Sequence, residues 1–209
     1  MFLFHRRRTP KELTEAARVY LLAGLGNPGR EYRDSRHNAG FMVMDHLATD
    51  LDIKITRVQN KALVGTGMVG DAKVVLAKPQ TYMNLSGEAV AGLVRFYKIP
   101  IDHLLIIHDD IDLPFGVIRL RPDGGSGGQK GVQSIIDHLG TQDFPRLRFG
   151  IGRPPGSKSS AAYVLKTFSP EEQKELVFLL DQAAAALRLY LSEGLEAAMN
   201  RYNGSQLGG

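Results

Sequence analysis

Two residues have the types to share a proton: His37, in the run RHNAG, and Asp109, in the run HDDID. An imidazole takes a proton near neutral pH. A carboxylate behind it fixes the tautomer and supports the imidazolium that forms. The pair is therefore a candidate general base for activating water. Of three neutral amides, Asn27, Asn38 and Asn84, the first and last follow strands expected to end on the same edge as Asp109. Amides of this kind position a water or stabilise an oxyanion without adding charge, and they also serve as turn formers and helix caps. HDDID invites a metal reading as well. Hard cations need oxygen ligands arranged in three dimensions, and alternation along a strand end puts only two of these residues on each side. No further histidines stand at zinc spacing, so no metal is expected. The chain has no cysteine, which removes thiol nucleophiles, disulfides and thiolate metal sites together.

Two glycine-rich motifs test other chemistries. Gly24 to Gly29 (GLGNPG) satisfies G-x-G-x-x-G. A dinucleotide loop needs a helix that begins inside the motif, so that its amides meet the pyrophosphate. Here Asn27-Pro28-Gly29 is a turn signal, and helical spacing begins only near Asn38. Gly124 to Gly128 (GGSGG) satisfies G-x-S-x-G, but Pro122-Asp123 break the strand that a nucleophile elbow requires, and the acid and histidine it needs later are not suitably placed. Gln129 and Gly131 also break a P-loop. What remains is a glycine loop opening a helix, with backbone amides available to an anion.

Basic residues cluster in one region. Arg119 and Arg121 alternate on one predicted strand, and Arg146, Arg148, Arg153 and Lys158 follow. Gathered around one cleft they form a phosphate-tracking surface, the footprint of nucleic acid. The net charge is +4, from 26 Lys and Arg against 22 Asp and Glu. That excess permits a polyanionic partner without requiring one.

The elements that must position these groups follow from periodicity. Val19–Ala23, Lys73–Ala77 and Leu104–Ile107 are short apolar runs that predict buried strands. Residues 53–58, 63–69, 117–121 and 146–151 add further strands. Helices are predicted from Asn38, after Asn84 or Ser86 as cap, over 132–139, from Ser169 with a capping box, and on to about Tyr202. The tail NGSQLGG is expected to fray. Strands alternating with helices, several of them apolar on both faces, predict an α/β fold: a single domain with a central mixed, mostly parallel sheet flanked by helices. In such sheets ligands bind beyond the carboxyl ends of the strands. Residues 1–17 are expected to be an N-terminal extension, with Thr9 capping a short helix, and residues 18–209 to be the domain. No apolar run is long enough to cross a membrane. The absence of cysteine suits a reducing cytoplasm. The residues alone therefore describe water-mediated hydrolysis of something attached to a polyanion.

GLGNPGREYRDSRHNAG, TYMNLSG, HDDIDLP, GGSGG and RLRFGIGRP, in this order and spacing, resemble bacterial peptidyl-tRNA hydrolase. The resemblance runs from Val19 to about Tyr202. It implies a monomeric cytoplasmic enzyme that cleaves the ester between a peptide and the terminal ribose of tRNA, recycling tRNA from drop-off products without metal or cofactor. It implies His37 as catalytic base and Asp109 as the acid behind it. Asn27 matches the residue that tells blocked from free aminoacyl groups, and Tyr32, Tyr82 and Asn84 match tRNA or peptide contacts. Tyr82 stands where similar proteins often have Phe. Where they usually read His-Asn-Gly, this chain reads Gln129-Lys130-Gly131. Lys130 cannot accept a hydrogen bond, but its charge can meet an oxyanion or phosphate, and Gln129 is expected to supply the missing amide. The alternative is a non-catalytic RNA-binding protein of the same fold, like the plant organellar splicing proteins that resemble these hydrolases.

Overall fold

The computed structural model describes residues 18–156 and 159–207. The expected extension at 1–17, with its Thr9 cap, lies outside the described residues. Eight strands form one sheet in the order β2-β3-β4-β1-β5-β7-β6-β8. They are β1 (Val19–Gly24), β2 (Arg57–Gln59), β3 (Ala62–Val69), β4 (Ala72–Pro79), β5 (Leu104–Asp110), β6 (Val117–Arg121), β7 (Arg146–Gly150) and β8 (Gly204–Ser205). The central strands β4, β1, β5 and β7 run parallel. Antiparallel pairs close both edges. The helices are α1 (Ala39–Asp50), α2 (Ser86–Tyr97), α3 (Lys130–Leu139), α4 (Ser160–Val164), α5 (Pro170–Glu193) and α6 (Leu195–Tyr202).

Alternation along β1 divides the core in two, because successive side chains point to opposite faces. Leu22 packs with Val43, Met44, Leu180 and Leu187, on the face covered by α1 and α5. Leu21 and Ala23 pack with Val90, Leu93 and Ile135, on the face covered by α2 and α3. α1 leaves β1 toward one face while α2 leaves β4, its neighbour, toward the other. The loops diverge there and open a crevice at the carboxyl ends of the strands.

The glycines of GLGNPG have a packing role at this point. A Cβ on Gly24 would lie 2.2 Å from the carbonyl oxygen of Gly40, and one on Gly40 would lie 2.5 Å from Ile107 O and from Leu25 N. The start of α1 therefore sits directly on the backbones of β1 and β5. Only glycine permits that approach, and it brings His37 beside the end of β5.

The α5 start is as expected: Ser169 Oγ accepts from Glu172 N–H, and Glu172 returns a bond to Ser169 N–H. Three expectations are corrected. Neither Asn84 nor Ser86 caps α2; a 3-10 turn at Met83–Leu85 leads in, and Ser86 Oγ donates to Met83 O. The strand predicted at 53–58 shrinks to β2 at its far end. The tail is ordered as far as it is described. Asn203 bonds both backbone groups of Leu120, and β8 pairs with β6.

Candidate active site

Parallel register brings the functional loops together. Gly24 stands opposite Ile107 on β5 and Ala23 opposite Ala77 on β4, so the segments after β1 and β4 and the end of β5 share one edge. A cleft of about 600 Å³ opens there, lined among others by Asn27, Tyr32, His37, Tyr82, Asn84 and Asp109. Gln129 and Lys130 close its far wall.

His37 Nδ1 lies 2.9 Å from both carboxylate oxygens of Asp109. The carboxylate is an acceptor, so Nδ1–H donates and Nε2 keeps its lone pair. Asp109 is only 3% exposed. His37 retains a little exposure toward the cleft, 13% of its side chain. This is the arrangement of an oriented general base.

Asn27 is oriented just as firmly. Its Oδ1 accepts from Met83 N–H at 2.7 Å. Its backbone N–H and C=O are both bonded by the side chain of Asn38, at 2.8 and 3.0 Å. Asn38 is thus the bracket for Asn27 rather than a side-chain cap of α1. With Oδ1 committed, the Nδ2 amide of Asn27 is the end left for the cleft. A second groove, of about 840 Å³, meets the cleft at Asn27 and runs past Arg30, Arg33 and Lys78.

Two supports were not foreseen from the sequence. Arg36, buried at 6% exposure, pairs with Glu172 and donates to Thr167 O. Its guanidinium lies 4.4 Å from the Tyr163 ring centroid. It pins the segment before His37 to the α4–α5 junction, where Ser35 bridges Thr167. The position of Arg36 beside His37 was the available signal, but its partners lie about 130 residues away. The other support is Gln129. Its amide is not free for substrate as expected: Oε1 accepts from Val132 N–H and Nε2 donates to Asp109.

In HDDID the alternating residues separate. His108 is buried opposite Asp109, and its Nδ1–H donates to Asp109 O at 2.8 Å. Burial pushes its pKa below the ordinary histidine value. Asp110 pairs with Arg148, and Asp112 with Arg153. Among the described residues no three His, Cys, Asp or Glu side chains gather as a metal site.

The basic residues divide as well. Arg119 and Arg121 are exposed on β6. Arg148 is tied to Asp110. Arg146 is 2% exposed and donates to Gly125 O, Gln142 O and Phe144 O. Burial lowers its pKa to about 10, so it stays charged at neutral pH. It clamps the glycine loop over the sheet and does not face a phosphate at the surface, a correction to its expected role. Lys158 lies outside the described residues.

A parallel-centred α/β sheet with a His–Asp pair and oriented amides at its strand ends defines a hydrolase-type site. The family described as peptidyl-tRNA hydrolase matches residues 21–208. The chain is 53% identical over 188 residues to a peptidyl-tRNA hydrolase of Moorella thermoacetica, covering 90% of this chain and 99% of that one. It is 50% identical over 185 residues to a chloroplastic peptidyl-tRNA hydrolase of Arabidopsis thaliana, covering 88% of this chain and 64% of that longer protein. It is 45% identical to a chloroplastic group IIB intron splicing facilitator of Arabidopsis thaliana, covering 88% of this chain and 77% of the relative. Among solved structures, peptidyl-tRNA hydrolase from Acinetobacter baumannii superposes with a TM-score of 0.84 at 36% identity, covering 92% of this chain and 98% of that one. The chain belongs to the peptidyl-tRNA hydrolase family, and is an enzyme of that class.

Proposed function

We propose that this protein cleaves the ester of peptidyl-tRNA with a water activated by His37. The observation that carries the reading is the His37–Asp109 pair, with Nδ1 committed and Nε2 left for a ligand, in a cleft also lined by the oriented amide of Asn27. Nε2 takes a proton from water as its oxygen attacks the ester carbonyl. The negative charge that develops on the carbonyl oxygen meets amide donors, Asn27 Nδ2 first among them, and the ammonium of Lys130. The imidazolium, supported by Asp109, then returns the proton to the departing ribose oxygen. The products are a peptide acid and a tRNA with a free terminal hydroxyl.

Asn27 Nδ2 is a donor and not an acceptor, which suits recognition of a carbonyl in a blocked substrate over a free ammonium. Tyr32, Tyr82 and Asn84 line the peptide or terminal-nucleotide path, and Arg119 and Arg121 meet phosphates. We further propose that the protein acts as a cytoplasmic monomer without metal. Among the described residues no helix is long and apolar enough to span a membrane. A purely RNA-binding role, as the splicing relative's name suggests for that protein, would leave the oriented His37–Asp109 pair without a task. The test is release of free tRNA from N-acetyl-aminoacyl-tRNA and from unblocked aminoacyl-tRNA by the wild-type protein. Rapid release from the blocked substrate alone is expected. Tight tRNA binding with no release from either would overturn the proposal.

A further inference from the structure

We propose that Gln129 is a positioning residue that locks Asp109 to the first turn of α3 and so holds His37 in its reactive tautomer; this rests on the hydrolase reading above.

Both ends of its amide are used. Oε1 accepts from Val132 N–H at 2.8 Å, capping α3. That bond fixes which end of the amide faces the cleft wall. Nε2 therefore points to Asp109 Oδ1, at 3.1 Å, and also lies 3.2 Å from Met83 Sδ. The Asp109 carboxylate is buried, so solvent does not hold it. Among the described residues its side-chain partners are His37 and Gln129. His37 Nδ1 straddles both oxygens, which by itself leaves the carboxylate free to rock about its bond to Cβ. A second donor on Oδ1 removes that freedom. Gln129 touches no reacting atom in this scheme and acts through Asp109. It also closes the glycine loop, since Gln129 N–H donates to Ser126 O. Asp109 is thus tied to the loop that forms one wall of the cleft.

The other charged or titratable groups near the pair are Asp110, neutralised by Arg148; Arg36, paired with Glu172; buried His108, whose Nδ1–H is held by Asp109 O; and Lys130, Tyr32 and Tyr82, which line the cleft. A charge placed at position 129 acts directly on Asp109, which Gln129 touches, and through it on His37.

Gln129→Glu keeps an oxygen for Val132 N–H and turns a second oxygen toward Asp109. Two carboxylates facing one another favour proton uptake by the cluster. The expected result is a fall in kcat of about tenfold or more, KM within about twofold, and an acidic limb of the kcat profile displaced to higher pH. Gln129→Met removes the donor without adding charge. It should lower kcat and displace the limb to higher pH by less than Gln129→Glu does. Gln129→His, which restores a ring N–H, should recover kcat to within a few-fold of wild type. Nitrogen-15 spectra of the His37 ring in the same proteins need no turnover. The neutral ring of wild type should be the Nδ1–H tautomer, and Gln129→Glu should keep the ring protonated to higher pH than wild type does. Thermal melting of each variant checks folding. If the His37 ring in Gln129→Glu and Gln129→Met titrates and tautomerises as in wild type, the inference is overturned whether or not the protein is active. Failure of wild type to release tRNA would instead count against the hydrolase reading alone.

Discussion

The carboxyl ends of β1 and β5 and the β6–β7 ribbon both gather polar groups, and they use them in opposite ways. At the strand ends His37 and Asn27 are each committed at one end and free at the other, while Asp109, bonded by His37 and Gln129, holds the base in place. His37 donates Nδ1–H to Asp109 and keeps Nε2; Asn27 Oδ1 accepts from Met83 N–H and Nδ2 is kept. On the ribbon, Arg121 and Arg146 stand opposite each other in register, yet one is exposed and the other is buried with its two terminal nitrogens on three backbone carbonyls. A half-committed group can act on a ligand in a defined direction. A buried group whose atoms are already committed acts by holding its neighbours, as Asp109 holds His37 and Arg146 holds the glycine loop.

The largest effect expected from breaking this contrast is at Asp109. In Asp109→Asn an amide would face Nδ1 and favour the other tautomer, so kcat should fall about 10³- to 10⁴-fold while tRNA binding persists. Single-turnover rates check this. Arg146→Ala should instead act on stability. Three carbonyls, two of them on exposed loop residues, lose a charged donor, at a cost of about 1–3 kcal/mol, measured by urea unfolding. The folded protein should retain its tRNA affinity, and a stable Arg146→Ala with weakened tRNA binding would reverse the division drawn here. Arg119→Ala and Arg121→Ala should each weaken tRNA binding a few-fold and reduce the log–log salt slope by about one. An unchanged slope in both would remove β6 from the footprint. The smallest effect concerns His108. Its folded-state pKa is depressed by burial, so the unfolded chain binds the extra proton first as pH falls below about 6.5. Stability contributed by keeping it neutral is present above that pH and lost below it. His108→Gln should flatten this acid-side decline in melting temperature, and an identical decline would assign it to other groups.

The same contrast explains what could be read from the residues alone. Strand-end placement made His37, Asp109 and Asn27 visible, because apolar runs such as Leu104–Ile107 mark a buried strand and its polar exit directly. At GLGNPG the late helix start was legible, since α1 begins at Ala39, whereas the packing role of its first glycine was not. Gly24 and Gly40 are there to let α1 rest on the sheet. What was not legible depended on contacts distant in sequence. Nothing near Arg146 signals that the glycine loop folds over it. Gln129 reads as a spare amide until Val132 and Asp109 are seen at its two ends. α4 has five residues, too few to set a helical period, and β8 is a two-residue pairing that follows the docking of Asn203 on β6.

The central claim is that His37 Nε2 activates the water in this cleft. Its most direct test is the single-turnover release of tRNA from N-acetyl-aminoacyl-tRNA by wild type and His37→Ala, with tRNA affinity measured in parallel. The account predicts a rate loss of about 10²- to 10⁴-fold with affinity unchanged within about twofold. Release by His37→Ala at the wild-type rate would contradict it.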